Sequence, residues 1–306
     1  MRAWRVHAFG GIPALKLDEV PPPQPANGEV LVRVLAASLN AADLLIAQGA
    51  FPRVTQADLP VTLGCDFVGI VERCGAAVQE FRAGEAVFGL ANLRQGSFAE
   101  YTLADRQALA LVPRTADLNT YAAIPLAALT AWQGLFKHGA IHAGQRVLVL
   151  GAAGGVGHHA VQMASDTGAV VYASAAVREF EFLRSMGAHQ VIDRDQPLEA
   201  RCSEIDLVLD LVGGPAQESA WRVLNNTGAL VSAVSTPNGP SASSLTQRGC
   251  RFVCQRDRND LEQISLLVRA GRLRPSIAQR FAFDHAPSAL QLLQQGGIRG
   301  KIILTL

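Results

Sequence analysis

The spacing of apolar positions changes once along this chain, near residue 117. Before it, "EVLVRVLAASL", "FVGIVERCG", "EAVFGL" and "FAEYTLAD" are short β-branched runs broken by Gly, Pro and Asn, and "MRAWRVHAFGG" alternates like a strand. That texture predicts a small barrel or sandwich. From about 118 the pattern alternates between two periods. "TYAAIPLAALTAWQGLF" has helical spacing, "RVLVL" reads as a buried strand, residues 156–166 as a helix, and "AVVYAS" as a second strand. "REFEFLRSMGA" gives a glycine-closed helix, and "HQVID", "IDLVLDLV", "GALVSAV" and "CRFVCQ" supply further strands. Short apolar strands separated by helices predict parallel β-α-β units in a doubly wound sheet. The final stretch turns mixed again and closes on "GKIILTL", a strand placed to return to the first lobe. The fold class expected is α/β: residues 1–117 form a β-rich lobe completed by 268–306, and 118–267 a dinucleotide-binding lobe.

Composition agrees with two cores. A chain of 306 residues exceeds the size at which one core usually stops growing, and 49% of its residues are apolar. A net charge of +1 creates no global field for nucleic acid or an anionic membrane, so neither is expected as a partner. Cys65, Cys74, Cys202, Cys250 and Cys254 are scattered without a C-x-x-C pair, which suits reduced thiols in a cytoplasmic protein. Cys250 and Cys254 flank "RFV"; read as one strand, they share a face and pack. No segment is long and apolar enough for a membrane span, and the N-terminus lacks the apolar core of a signal peptide.

The candidate chemistry begins at "GAAGGVGHH", directly after "RVLVL". Gly151, Gly154 and Gly157 recur every three residues between a strand and a helix. One glycine permits the tight turn, another a close approach to pyrophosphate, and the last close helix–strand packing, while the helix N-terminus offers N–H groups and positive dipole. Gly151, Ala153, Gly154, Gly155, Val156 and Gly157 are thus the expected pyrophosphate cradle. NAD-binding sheets place a carboxylate at the end of the second strand. Here Ser174, Ala175 and Ala176 provide none, and the first charge is Arg178, with Arg194 after the third strand. A 2′-phosphate is then not repelled and can pair with an arginine fork, which favours NADPH. His158 and His159 are adjacent on a helix and diverge by about 100°, so helix-surface or packing roles suit them better than a shared metal.

With these elements in order, the chain resembles the medium-chain dehydrogenase/reductase superfamily, and within it the zinc-independent quinone oxidoreductase group that includes zeta-crystallin. The stretches carrying the resemblance run nearly end to end: "EVLVRVLAASLNAAD", "GCDFVGIV", "VQEFRAGEAVFG", "GSFAEYTLAD", "AAIPLAALTAW", "GAAGGVG", "LRSMGAHQVID", "LVLDLVGG" and "GKIILTL". The resemblance implies a GroES-like catalytic lobe made from both chain ends, a Rossmann lobe, and a cleft where nicotinamide meets substrate. It also implies a homodimer through the Rossmann sheet edge near "RFVCQ".

Carried over by position, Asn40 faces the nicotinamide end, Thr130 lies near the nicotinamide, and Lys301 reaches the pyrophosphate. Gly213 and Ser235 border the adenosine and nicotinamide portions, with Ser174 beside them in the cofactor set. Asp43 and Asp66 match the family's acids and either hold turns or touch substrate. No metal is expected: Asn40 and Cys65 stand where zinc alcohol dehydrogenases have a cysteine and a histidine, and the third ligand and the four-cysteine lobe are missing. Phe51 replaces a tyrosine common in relatives, and Leu45 a lysine, so the pocket has no obvious general acid and would suit a flat apolar ring.

The function implied is NADPH-dependent hydride transfer to quinones or other electron-poor conjugated carbonyls, since an unactivated ketone would lack anything to polarise it. The alternatives are an enoyl or alkenal reductase of α,β-unsaturated ketones or thioesters, and a low-turnover NADPH-binding sensor.

Overall fold

The computed structural model describes residues 1–114, 116–239 and 246–306. The chain divides into two compact units, one made of Met1–Leu126, Arg256–Arg269 and Ser276–Leu306, the other of Ala127–Gln255 and Ala270–Pro275. These seams differ from the expected 117/118 and 267/268. The short helix Leu118–Ala122 packs on the strands Glu29–Ser38 and Asp66–Cys74, and the helix Arg258–Arg269 packs on Leu109–Leu111, so both belong to the β-rich unit.

In that unit, the long strand Glu29–Ser38 is the organising element. It pairs antiparallel with Asp66–Cys74, Tyr101–Asp105 and the terminal strand Lys301–Thr305. The chain end therefore does return to the first lobe, with Ile303 opposite Ser38. Among the described residues this sheet has seven strands, and a separate three-stranded sheet carries Arg2–Val6. Val32, Val34, Phe67, Phe98, Ile302 and Leu304 are shielded in one core. The mainly apolar runs read from the sequence have what they need: inward positions at period two, with Gly and Pro at the breaks.

The second unit is a six-stranded parallel sheet among the described residues. Its order, with its strands numbered from Arg146–Leu150, is 3-2-1-4-5-6: Gln190–Asp193, Val170–Ala175, Arg146–Leu150, Ile205–Asp210, Leu224–Ser232, Arg248–Arg251. This is the doubly wound Rossmann order. Val147, Leu148, Val149 and Leu150 are all buried because helices cover both faces of a parallel sheet. Leu148, Leu150, Ile192, Val208 and Leu230 anchor one core cluster.

Two local expectations change. The helical run 120–136 is broken into Leu118–Ala122 and Pro125–Trp132, followed by a π-helical turn at Gln133–His138. Pro125 lacks an N–H and starts the second helix rather than continuing the first. The last Rossmann strand ends at Arg251, so Cys254 lies beyond it and does not share a strand face with Cys250. No disulfide joins any of the five cysteines among the described residues.

Candidate functional site

The glycine loop is shaped by two backbone demands. Gly151 follows the first Rossmann strand at φ 73°, a left-handed conformation that favours glycine and turns the chain sharply. Gly157 opens the helix Gly157–Asp166, and a Cβ there would clash with the Gly151 carbonyl oxygen and stand 2.6 Å from Ala152 Cα. Gly154 accepts the His158 N–H at 3.1 Å and donates to Gly151 at 3.1 Å. Ala152 donates to the Ser174 carbonyl at 3.1 Å, which ties the loop to the second strand. The His158, His159 and Ala160 N–H groups bond back to Gly154 and Val156, so a phosphate would meet the loop backbone ahead of them, where the helix dipole also favours an anion. Ala153, Gly155 and Val156 lie in the loop that leads into this helix. A dinucleotide pyrophosphate fits it in charge and in backbone approach.

His158 and His159 are wholly buried with rings 3.9 Å apart, so a helix-surface role is excluded and packing remains. His158 Nδ1 lies 2.9 Å from the Gly154 carbonyl and braces the loop.

At the end of the second strand, Ser174 is buried and Ala175 pairs with Asp193 in register. Arg178 lies on the turn Val177–Glu179, its Nε donating to Glu179 at 3.1 Å with the side chain 63% exposed. Arg194 donates its backbone N–H to Ala175 at 3.0 Å and is 60% exposed. Both arginines thus flank the same strand end with largely exposed side chains, Arg178 bonded to Glu179 and Arg194 3.9 Å from Asp195.

Gly213 and Ser235 meet in a network that the sequence did not reveal. The buried Asp210, at the end of the fourth strand, accepts the Val212 and Gly213 N–H groups on Oδ1 at 3.0 and 2.8 Å. Its Oδ2 accepts Ser232 Oγ and Gln217 Nε2, each at 2.7 Å. Gln217 Nε2 also reaches Ser235 Oγ at 3.0 Å. The result fixes two strand-end loops at the sheet's carboxyl edge, where open α/β sheets bind ligands. "LVLDLV" contained the acid, but its partners are set by topology.

In the β-rich unit, Asn40 caps the helix Ala41–Gln48, and Asp43 closes a capping box by accepting the Asn40 N–H at 2.8 Å. Asp43 also accepts Gly64 N–H at 3.1 Å; burial, the dominant cause, lifts its carboxyl to about 7 against those bonds. Asp66 is fully buried and accepts Ser38 Oγ at 2.6 Å, Asn40 Nδ2 at 2.9 Å and the Leu126 N–H at 2.8 Å. Lys301, only 4% exposed, donates to the Leu39 carbonyl at 2.7 Å, Asn40 Oδ1 at 2.5 Å and Asp66 Oδ2 at 3.4 Å. All three ammonium protons therefore have acceptors inside this unit. Thr130 is buried on the helix Pro125–Trp132, the helix whose Leu126 N–H Asp66 accepts. Phe51 packs against the β-rich core and Leu45 is 41% exposed on its helix.

Comparison with known proteins bears on this arrangement. A family model described as alcohol dehydrogenase GroES-like domain matches residues 26–114, and one described as zinc-binding dehydrogenase matches 186–304. The chain is 32% identical to a 2-methylene-furan-3-one reductase of Solanum lycopersicum, covering 99% of this chain and 79% of the relative. It is 31% identical to an Arabidopsis thaliana chloroplastic NADPH-dependent alkenal/one oxidoreductase, with the same two coverages of 99% and 79%. A solved quinone oxidoreductase from Coxiella burnetii superposes with a TM-score of 0.91 at 30% identity, covering 100% of this chain and 99% of that one.

Zinc, which one of these descriptions names, does not fit the residues present. A catalytic zinc needs about three protein ligands. Asn40 instead has its oxygen on an ammonium, and no group of three His, Cys, Asp or Glu among the described residues could hold a metal. Nor is any helix among the described residues long and apolar enough to cross a membrane. A GroES-like unit, a Rossmann unit in 3-2-1-4-5-6 order and relatives matched over 99–100% of this chain at 30–32% identity establish that the chain is an oxidoreductase of the medium-chain dehydrogenase/reductase superfamily.

Proposed function

We propose that this protein uses NADPH to deliver hydride to quinones or other electron-poor conjugated carbonyls. The observation that carries the cofactor half is the end of the second Rossmann strand. It holds Ser174, Ala175 and Ala176 in place of a carboxylate, and two solvent-exposed arginines stand beside it. In this reading Gly151, Ala153, Gly154, Gly155, Val156 and Gly157 carry the pyrophosphate, and Arg178 and Arg194 the 2′-phosphate. Ser174, Gly213 and Ser235 border the rest of the cofactor, and Asn40 and Thr130 serve its nicotinamide end. Lys301 is left out of the pyrophosphate set, because its ammonium is committed to Leu39, Asn40 and Asp66.

The nicotinamide supplies the hydride when bound. The chain's residues bind and orient the cofactor through the loop and hold an uncharged carboxamide, Asn40, toward substrate. Because the residues at Asn40 do not fit a zinc and Phe51 offers no hydroxyl, the acceptor should already be electron-poor, which selects quinones and enones over simple ketones. Reduction of an alkenal or enone is the second reading, favoured by the names of the two plant relatives. A low-turnover sensor is the third.

NADPH oxidation with formation of the catechol from an ortho-quinone, and transfer of deuterium from labelled NADPH to carbon of an unsaturated ketone read by mass spectrometry, test the proposal. Catechol formed in step with NADPH oxidised supports the first reading, and label in the enone product alone supports the second. Tight NADPH binding without turnover of either supports the sensor.

The proposal extends to a cytoplasmic homodimer. Arg248–Arg251 is the end strand of the described Rossmann sheet, paired on one side with Leu224–Ser232, and such an edge favours pairing with a second copy. Light scattering distinguishes dimer from monomer.

A further inference from the structure

The amide assignment of Asn40 is forced by its neighbours. Lys301 Nζ, 2.5 Å away, can only donate, so the atom facing it is the carboxamide oxygen. The nitrogen consequently faces the Asp66 carboxylate at 2.9 Å. One N–H is spent on Asp66. Among the described residues the other meets the Ser38 carbonyl at 3.4 Å, a long and weak contact. Asn40 is half-buried, whereas Asp66 and Lys301 are buried. The group thus has a charged interior and one N–H whose contact, to the Ser38 carbonyl, is long enough to be exchanged for a ligand's oxygen. An ammonium on the amide oxygen also polarises the carboxamide and makes its N–H a stronger donor.

We propose that Lys301 is a positioning residue for substrate: with Asp66 it holds and polarises the Asn40 carboxamide so that the N–H now on the Ser38 carbonyl donates instead to the carbonyl oxygen of the conjugated acceptor. This rests on the functional reading above and supplies the electrophilic assistance which that reading lacks. As hydride forms the new C–H bond at the β-carbon of an enone, the displaced π pair moves onto the carbonyl oxygen, giving an enolate; with a quinone, hydride that adds to one carbonyl oxygen forms an O–H bond and the electron pair reaches the other oxygen, giving the hydroquinone monoanion. The Asn40 N–H stabilises that oxyanion, and water then supplies the proton. No metal and no protein acid is consumed.

The test separates this role from the pyrophosphate role that the family resemblance implies for Lys301. Lys301→Met and Asn40→Ser are compared with wild type for NADPH affinity by titration calorimetry, and for kcat on an unsaturated ketone and an ortho-quinone. Asn40→Ser leaves the Lys301–Asp66 pair and a good helix cap in place, so it reports even if Lys301→Met unfolds. The proposal predicts a fall in enone kcat of about 10²-fold in either variant, the usual scale for one oxyanion donor. The quinone, already activated, should lose less than about tenfold, and the NADPH Kd of Lys301→Met should move less than about twofold.

A tenfold weaker NADPH Kd in Lys301→Met with kcat retained would overturn the proposal in favour of pyrophosphate binding. Equal losses on both acceptors, or none, would overturn it too. If wild type reduces neither acceptor, the functional reading fails and the proposal with it, while the affinity arm still reports whether Lys301 serves the cofactor.

Discussion

A Cβ on Gly157 would lie 2.6 Å from Ala152 Cα, inside the contact distance of any two carbons. The helix that would cradle a phosphate thus begins against the backbone of the loop that feeds it. Gly157→Val should destabilise the protein by about 1–3 kcal/mol through forced overpacking and weaken NADPH binding at least tenfold. Gly154 is the control. Its added Cβ would meet only the Gly151 oxygen at 3.4 Å, an ordinary contact, so Gly154→Ala should cost less than about 1 kcal/mol in chemical denaturation.

Cofactor choice should follow the two exposed arginines. Arg178→Asp places a carboxylate beside the end of the second strand, where NAD-binding sheets keep one. NADPH affinity should fall about tenfold or more, the scale of one charge-assisted hydrogen bond, while NADH affinity holds or improves. Unchanged affinities for both would remove Arg178 from the site. Arg194→Ser should show a smaller loss of the same sign, steeper at low salt because the group is exposed.

Asp43 gives the fold a pH dependence of stated sign. Burial lifts its carboxyl from 3.8 to about 7, so the folded chain holds this proton more tightly than the unfolded chain does. The contribution to stability is fully present below about pH 4 and is lost as the pH rises to about 7. At about 1.4 kcal/mol for each unit the loss is on the order of a few kcal/mol. Asp43→Asn keeps an acceptor for the Asn40 N–H and removes the titration. Its melting temperature should change less between pH 4 and pH 7 than that of wild type.

The Asp210 network should behave as a unit. Gln217→Leu removes one donor to the buried carboxylate and the link to Ser235, at a cost of about 1–3 kcal/mol. Gln217→Glu should be worse, since it faces a buried carboxylate with another. Both variants should loosen the loops at Gly213 and Ser235, measurable as faster amide exchange there.

Features of this fold are legible in the sequence to the extent that they are locally determined. The loop from Gly151 to Gly157 was legible because its demands, a left-handed turn and a helix start, are local and leave glycine little competition. The return of "GKIILTL" to the first lobe was legible because a late apolar strand needs a sheet to join.

The role of Lys301 was not legible. Position in a resembling family places its backbone, but only tertiary contacts show that its ammonium points inward to Asn40 and Asp66. Likewise the partners of Asp210 lie 7 and 22 residues away along the chain, and no short pattern links them. The seam between the units moved from 117 to 126 because Leu118–Ala122, helical like Pro125–Trp132 after it, buries itself on the β-rich sheet. Periodicity reports a helix's type and not its neighbour.

Passage of hydride from NADPH to an electron-poor conjugated carbonyl is most directly tested by steady-state reduction of an ortho-quinone and an unsaturated ketone with NADPH and, in parallel, with NADH. Turnover of the quinone is expected, with a kcat/KM for NADPH at least tenfold above that for NADH, the scale of one charge-assisted hydrogen bond to the 2′-phosphate. Equal use of both cofactors, or turnover of neither acceptor by protein that binds NADPH, would contradict it.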